Sequence, residues 1–344
     1  MLAGRLETAS RTFAVREVPE PEPGRGEVRV RVRAAGVCLS DVHLIDGSLR
    51  PSFSGLAEVT LGHEVAGEID ALGSDVPGWS VGDRVLLRAG ERCGTCATCV
   101  RFRLPCLAVR ARGIDYDGGW AEYAVASHHT LVAIPDELPF EQAAIVPDAV
   151  STPWGAVAGT GRAGPARPAG VWGAGGLGAH AVQLLRLVGA APIVAVDPRR
   201  AARERALDLG ADAVFAPDDP ELPAAVRAVS GGGLDVAFDL AGAARAREQA
   251  LDCLAPGGRL VLVGLTPEPL RVDDATTMTF NGQQILGHYG SLPGAVDQLV
   301  TLIRHGRLDL SRSVSGVVAL ADAADAVARV RDGIGDPVRL VLVP

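Results

Sequence analysis

Along residues 27–35, 64–72, 82–88 and 121–134 apolar and polar side chains alternate, and Gly, Asp and Pro separate these segments. A period of two sends successive side chains to opposite faces, so the pattern predicts short antiparallel strands and a β-rich, barrel-like first part. From residue 169 the pattern changes. AGVWG, PIVAVD, LDVAFDLAG, RLVLVGL and QILGHYG are apolar runs of strand length, and AHAVQLLRLVGA repeats its apolar positions at helical spacing. Strands alternating with helices predict βαβ units in a doubly wound parallel sheet, so the fold class is α/β with a β-rich companion domain. The Gly/Pro-rich stretch GRAGPARPAG, residues 161–170, predicts a connector between the two patterns. SLPGAVDQLVTLIRHG predicts a helix with Ser291 as N-cap and Gly306 as stop, after which PVRLVLVP returns to strand character. The expected division is 1–149, 150–291, and a tail of 292–344 that rejoins the first domain.

Length and composition narrow this picture. A chain of 344 residues exceeds one core and fits two ordinary domains, and its 48% apolar and 22% charged content is that of a globular protein. No apolar run approaches the roughly 20 residues needed to span a bilayer. The opening MLAGRLETASRTFAVREVPEPEPG carries charges and prolines where a signal peptide would be apolar, which predicts a cytoplasmic protein. A net charge of -8 argues against nucleic acid as a partner. All 33 basic residues are arginine, which removes lysine Schiff bases and lysine general bases from the possible chemistry.

Two motifs carry chemistry on their own spacing. VWGAGGLGAH holds Gly173, Gly175, Gly176 and Gly178 between a strand and an amphipathic helix, and Asp197 ends the next strand 19 residues after Gly178. Such glycines let a pyrophosphate approach the backbone at a helix N-terminus, and the acidic residue accepts from ribose hydroxyls. A 2'-phosphate would meet the charge of Asp197 at a cost of roughly 4 kcal/mol at ~4 Å and an effective dielectric near 20. The expectation is NAD rather than NADP, although Arg199 and Arg200 directly behind Asp197 are able to hold a phosphate. The second motif is RCGTCATCVRFRLPC, which spaces Cys93, Cys96, Cys99 and Cys106 within 14 residues. In a reducing compartment this predicts a metal site rather than disulfides; four thiolates fill a tetrahedron and make a zinc structural, with an iron–sulfur cluster as the competitor.

GVCLSDVHLIDG crowds Cys38, Ser40, Asp41 and His43 into six positions, and TLGHEVAGEIDALGSDV adds His63 and Glu64. By its own residues Cys38 is a packed thiol, a nucleophile or a metal ligand. The second segment fits G-H-E-x2-G-x5-G-x2-V. With the Cys38 region, the cysteine lobe and the glycine fingerprint in this order, essentially the whole chain resembles the zinc-dependent medium-chain alcohol dehydrogenases. That resemblance implies a GroES-like catalytic domain beside a Rossmann domain. It implies a catalytic zinc held by Cys38, His63 and a third ligand that maps to Asp148 in IVPDAVSTPW, where relatives usually have cysteine. It further implies Glu64 behind the metal, Asp41 orienting His63, Ser40 and His43 as a proton relay, and Arg339 on the cofactor. The implied activity is hydride transfer between a primary or secondary alcohol, or a polyol or sugar, and NAD, by a homodimer or homotetramer acting on small molecules. A non-catalytic NAD- and zinc-binding redox sensor is the rival from another class.

Several positions depart from the family pattern. Six residues separate Cys99 from Cys106 where seven are usual, and a loop of 24 residues expected to border the substrate separates Cys38 from His63. Leu39 stands where some relatives carry a phosphate-binding arginine. Ala89 replaces an aromatic expected to line the pocket, Trp120 and Trp154 are candidates for packing or for the pocket, and His288 is expected to be structural.

Overall fold

The computed structural model describes residues 1–51, 55–102, 106 and 108–344. The middle of the loop between Cys38 and His63, residues 52–54, thus lies outside the described residues. The chain divides into two compact units, Met1–Ala149 with Val296–Pro344, and Val150–Ala295.

In the first unit the main sheet runs in the order Leu131–Ala133, Arg84–Leu87, Val65–Leu72, Glu27–Val37, Arg339–Val343, Val314–Ala319, and Tyr123–Ser127 also pairs with Glu27–Val37. The alternation in EVRVRVRAAG explains the central strand. Val28, Val30 and Val32 point into a core with Leu6, Ile69 and Trp120. Arg29 and Arg31 on the other face pair with Asp70, and Arg33 with Glu68, across the neighbouring strand. The last residues, Ala34–Val37, are buried on both faces. The predicted segment 121–134 is two strands, because a 3-10 turn over His128–Thr130 interrupts it. The C-terminal strand lies antiparallel against Glu27–Val37, so the tail belongs to the first unit.

The second unit is a six-stranded sheet, every pair parallel, in the order Ala213–Phe215, Ile193–Val196, Ala169–Trp172, Leu234–Asp239, Leu254–Leu262, Gln284–Gly287. The order reverses at Ala169–Trp172, which is the topological switch point of a doubly wound sheet. The adjacent strands Ala169–Trp172 and Ile193–Val196 are apolar and buried at every position, as strands covered on both faces must be.

The chain enters the second unit inside a helical run, not at the Gly/Pro-rich stretch, which lies wholly within that unit. The run comprises Phe140–Ala144, Val146–Val150, Ser151–Trp154 and Gly155–Thr160. Pro147 and Pro153 cannot donate backbone bonds, and the ladder widens to π-type turns over Val146–Val150 and Gly155–Thr160 instead of breaking. The return crossing falls between Ala295 and Val296, at the start of the helix Ala295–Arg304. Ser291 therefore stands four positions ahead of that helix and does not cap it; its hydroxyl instead reaches the Leu292 carbonyl at 3.4 Å. Among the described residues no helix is long and apolar enough to cross a membrane.

Candidate metal and dinucleotide sites

Strand register gathers the principal cluster. Val37 lies opposite Leu340, and Ala35 opposite Val65. Cys38, Glu64 and Arg339, each one residue beyond a paired position, therefore emerge side by side, with His63 immediately before Glu64. Asp148 comes from the π-turn Val146–Val150. Its Oδ2 stands 3.5 Å from Cys38 Sγ and 3.4 Å from His63 Nε2. Donor atoms of Cys38, His63, Glu64 and Asp148 all lie within 4.8 Å of one another.

Neighbouring residues hold these side chains in place. Cys38 caps the helix Leu39–Asp46, and Asp41 in its first turn accepts the Cys38 N–H at 2.9 Å through Oδ2. The other oxygen of Asp41 is 3.4 Å from His63 Nδ1, which turns Nε2 towards Cys38 and Asp148. Glu64, fully buried, is ion-paired with Arg339 at 3.0 Å and accepts the Ala149 N–H at 3.1 Å. Gly36 makes room for it: a Cβ there would lie 1.9 Å from Glu64 Oε2. Gly62, at φ +94°, lets the chain turn into His63 where a Cβ would meet Trp120 at 2.2 Å.

The charges of this cluster demand a cation. Asp41 and Glu64 are buried and Asp148 nearly so; Arg339 pairs with Glu64, and the His63 imidazole lies 3.4 Å from both Asp41 and Asp148. Asp41 Oδ1 and Glu64 Oε2 are buried without a hydrogen-bond partner among the described residues. Burial opposed by Arg339 and reinforced by Asp148 pushes Glu64 up to about 7. Burial works to lower the His63 pKa, yet Asp41 and Asp148 outweigh it and hold the imidazole well above its ordinary value. A thiol, an imidazole and a carboxylate are donors suited to zinc, and ligand distances of about 2.0–2.3 Å give tetrahedral edges of roughly 3.3–3.8 Å, the range of the separations at Asp148. The residues present fit a zinc ion.

The second cluster is built differently. Gly90–Glu91 pairs with Arg110–Ala111 to form the root of a lobe carrying Cys93, Cys96, Cys99 and Cys106, none of them in a disulfide. Cys106 Sγ lies 3.5 Å from Cys93 Sγ and 3.9 Å from Cys96 Sγ. Backbone N–H groups donate to sulfur, Cys96 to Cys93 at 3.3 Å and Cys93 to Cys106 at 3.4 Å. N–H donors from Thr95 and Cys96 lower the Cys93 pKa, whereas desolvation pushes Cys99 up to about 11. The four sulfurs fit a structural zinc.

In the second unit Gly173 at φ +92° turns the chain out of its strand, and Gly178 packs so closely that a Cβ would lie 1.8 Å from the Gly173 carbonyl oxygen. The helix Gly176–Leu187 begins at Gly175 with no side-chain cap, which leaves its N–H groups for an anion. Asp197, only 2% exposed, accepts from Ala174 N at 2.9 Å and from Arg199 through its backbone and guanidinium at 2.9–3.0 Å. Arg200 pairs with Glu204.

The other singled-out residues fall as follows. Ser40 and His43 are half-buried on the helix Leu39–Asp46, three residues apart and so on one face. Arg339, expected at the cofactor, has its guanidinium buried against Glu64 and donates to the Val37 carbonyl at 3.3 Å. Trp120 is a fully buried core residue whose indole donates to Gly36 O at 3.0 Å. His288 is buried, with Nδ1 2.9 Å from the Thr160 hydroxyl and Nε2 3.0 Å from the Thr152 carbonyl, and burial lowers its pKa. Gly36 was not singled out by sequence; its only signal was the run of small residues AAG ahead of Cys38.

Residues 24–136 match the family described as alcohol dehydrogenase GroES-like domain, and residues 176–305 match zinc-binding dehydrogenase. The chain belongs to the zinc-dependent medium-chain dehydrogenase family. It is 33% identical to an NDMA-dependent alcohol dehydrogenase of Amycolatopsis methanolica, across 96% of each chain. It is also 33% identical to an NAD-dependent alcohol dehydrogenase of Sulfurisphaera tokodaii, across 83% of this chain and 84% of that one. A zinc-binding dehydrogenase from Sinorhizobium meliloti solved with NADP superposes with a TM-score of 0.91 at 28% identity, covering 100% of this chain and 99% of the other.

Proposed function

We propose that this protein interconverts a small-molecule alcohol and its aldehyde or ketone with a nicotinamide dinucleotide, NAD in preference to NADP, working in the cytoplasm as a homodimer or homotetramer. The observation that carries this is the convergence of Cys38 Sγ, His63 Nε2 and Asp148 Oδ2 on one point, with buried carboxylates short of positive charge around it. When bound there, zinc supplies Lewis acidity that polarises the substrate oxygen, and the dinucleotide supplies the hydride acceptor.

The chain's own residues do the rest. The charge of Asp41, 3.4 Å from His63 Nδ1, favours the tautomer with its hydrogen on Nδ1 and the lone pair on Nε2. Cys38, His63 and Asp148 would hold the metal, and a set of three protein ligands would leave one position for substrate. Glu64, paired with Arg339, would either shape the field behind the metal or enter its ligand set transiently. Ser40 would accept the alcohol proton and His43 would deliver it to solvent. Gly173, Gly175, Gly176 and Gly178 admit the pyrophosphate, and Asp197 takes the ribose hydroxyls. Arg339, paired with Glu64, remains the candidate for the cofactor's phosphates.

The complete relay beside the ligands favours an enzyme over a redox sensor, which has no need to move a proton outward. A polyol or sugar substrate would use the same apparatus. The test is cofactor absorbance during incubation with a panel of simple alcohols and polyols. Chelator-sensitive NADH formation is expected; binding of NAD with no turnover of any panel member supports the sensor instead. Arg199 already neutralises part of the Asp197 charge, so the preference for NAD should be modest. Asp197→Ser is expected to lower kcat/KM with NAD by about tenfold and raise it with NADP, in line with the loss of a charge-assisted hydrogen bond.

A further inference from the structure

Beside the cysteine lobe, the first unit contains a cavity of about 440 Å³ with a strongly basic wall: Arg25, Arg110, Arg112, His128 and His129 line it together with Tyr116. Arg112 is the unusual member. Its residue is 1% exposed, its Nη1 donates to the Val125 carbonyl at 3.2 Å, and its Nε and Nη2 have no partner among the described residues. The Tyr116 hydroxyl is likewise buried and unpartnered. The guanidinium groups of Arg110 and Arg112 lie 5.1 and 5.0 Å from the centroid of the same Tyr116 ring. Neither arginine has a carboxylate partner among the described residues.

A buried cation with two idle donors is costly unless something supplies the missing acceptors. Two carboxylates also line the cavity, Glu27 and Glu91. Glu27 spends an oxygen on the Gly24 N–H at 2.9 Å, and Arg25 is paired outward with Asp75 at 2.6 Å. Arginine dominates the remaining wall, and its planar fork suits the oxygens of a phosphate. The volume exceeds that of a lone small ion and falls in the range of small-molecule pockets.

We propose that this cavity binds a phosphate-bearing small anion, with the Arg110 and Arg112 guanidinium groups and the Tyr116 hydroxyl as its donors. The ligand would sit at the root of the cysteine lobe, where Glu91 lies opposite Arg110 two residues before Cys93. The proposal depends on neither the catalytic assignment nor the choice of dinucleotide.

The experiment is calorimetric titration of the full-length protein with inorganic phosphate and, separately, phenyl phosphate, against sodium chloride at matched ionic strength. Arg112→Met and Arg110→Glu are each expected to weaken phosphate binding at least about tenfold, the size of one charge-assisted hydrogen bond. Arg110 is exposed, so its variant decides the matter if Arg112→Met fails to fold. Phosphate held at the glycine turn of the other unit would be insensitive to both substitutions. Tighter binding of phenyl phosphate assigns the site to a phosphate ester, and equal binding to free phosphate. No heat above chloride in the wild type, or unchanged affinity in Arg110→Glu, overturns the proposal.

Discussion

The two metal-binding clusters of the first unit answer the same requirement, a place for a divalent cation, with opposite physics. The cysteine lobe uses four like donors near the surface, steadied by backbone N–H groups. The cluster at Cys38 uses unlike donors, two of the four buried, steadied by Asp41 and Arg339, and surrounds them with more negative charge than its one arginine balances. A closed and symmetric shell suits structure. An open, asymmetric one with surplus charge behind it suits reaction, because its metal retains a position for substrate and its ligands need not move.

That contrast can be broken by substitution. The largest effect is expected for His63→Ala, which should remove one of two zinc ions per chain and lower alcohol oxidation by at least ~10³-fold, since metal polarisation supplies several kcal/mol of the barrier. Metal analysis alongside kinetics checks both parts. Next comes Asp41→Asn, which keeps the shape but can present a donor to His63 Nδ1; zinc affinity at this site alone should fall about 10–100-fold, measured by chelator competition. Gly36→Ala would press a methyl into the Glu64 carboxyl. About a tenfold loss of kcat/KM is expected, with the cysteine lobe's zinc retained. The smallest effect on turnover belongs to Cys96→Ser. It should strip the lobe's zinc and lower Tm by several degrees, while kcat per folded molecule changes less than about threefold. A loss of turnover as large as that of His63→Ala would erase the distinction between the clusters.

Much of this was legible because periodicity and spacing are local. The alternation EVRVRVRAAG specified a strand with a buried and a charged face, and the glycine fingerprint specified strand, turn and helix. What was not legible depended on register and on backbone hydrogen bonding. No local pattern tells that Val37 pairs with Leu340, yet that pairing is what brings Arg339 to Glu64. The Gly/Pro-rich stretch looked like a connector by composition, whereas the chain passes between units in a helical run that absorbs Pro147 and Pro153 by widening its turns. Ser291 has the chemistry of a cap but stands too far from Ala295 to act as one. The basic cavity at Arg112 left no local signature, because its residues come from four separate segments.

The most direct measurement is anomalous diffraction at the zinc edge from crystals of protein purified without added metal. Two peaks are predicted, one enclosed by Cys38 Sγ, His63 Nε2 and Asp148 Oδ2 and one among the four sulfurs of the lobe. A fully active protein with a peak only in the lobe would contradict the central claim.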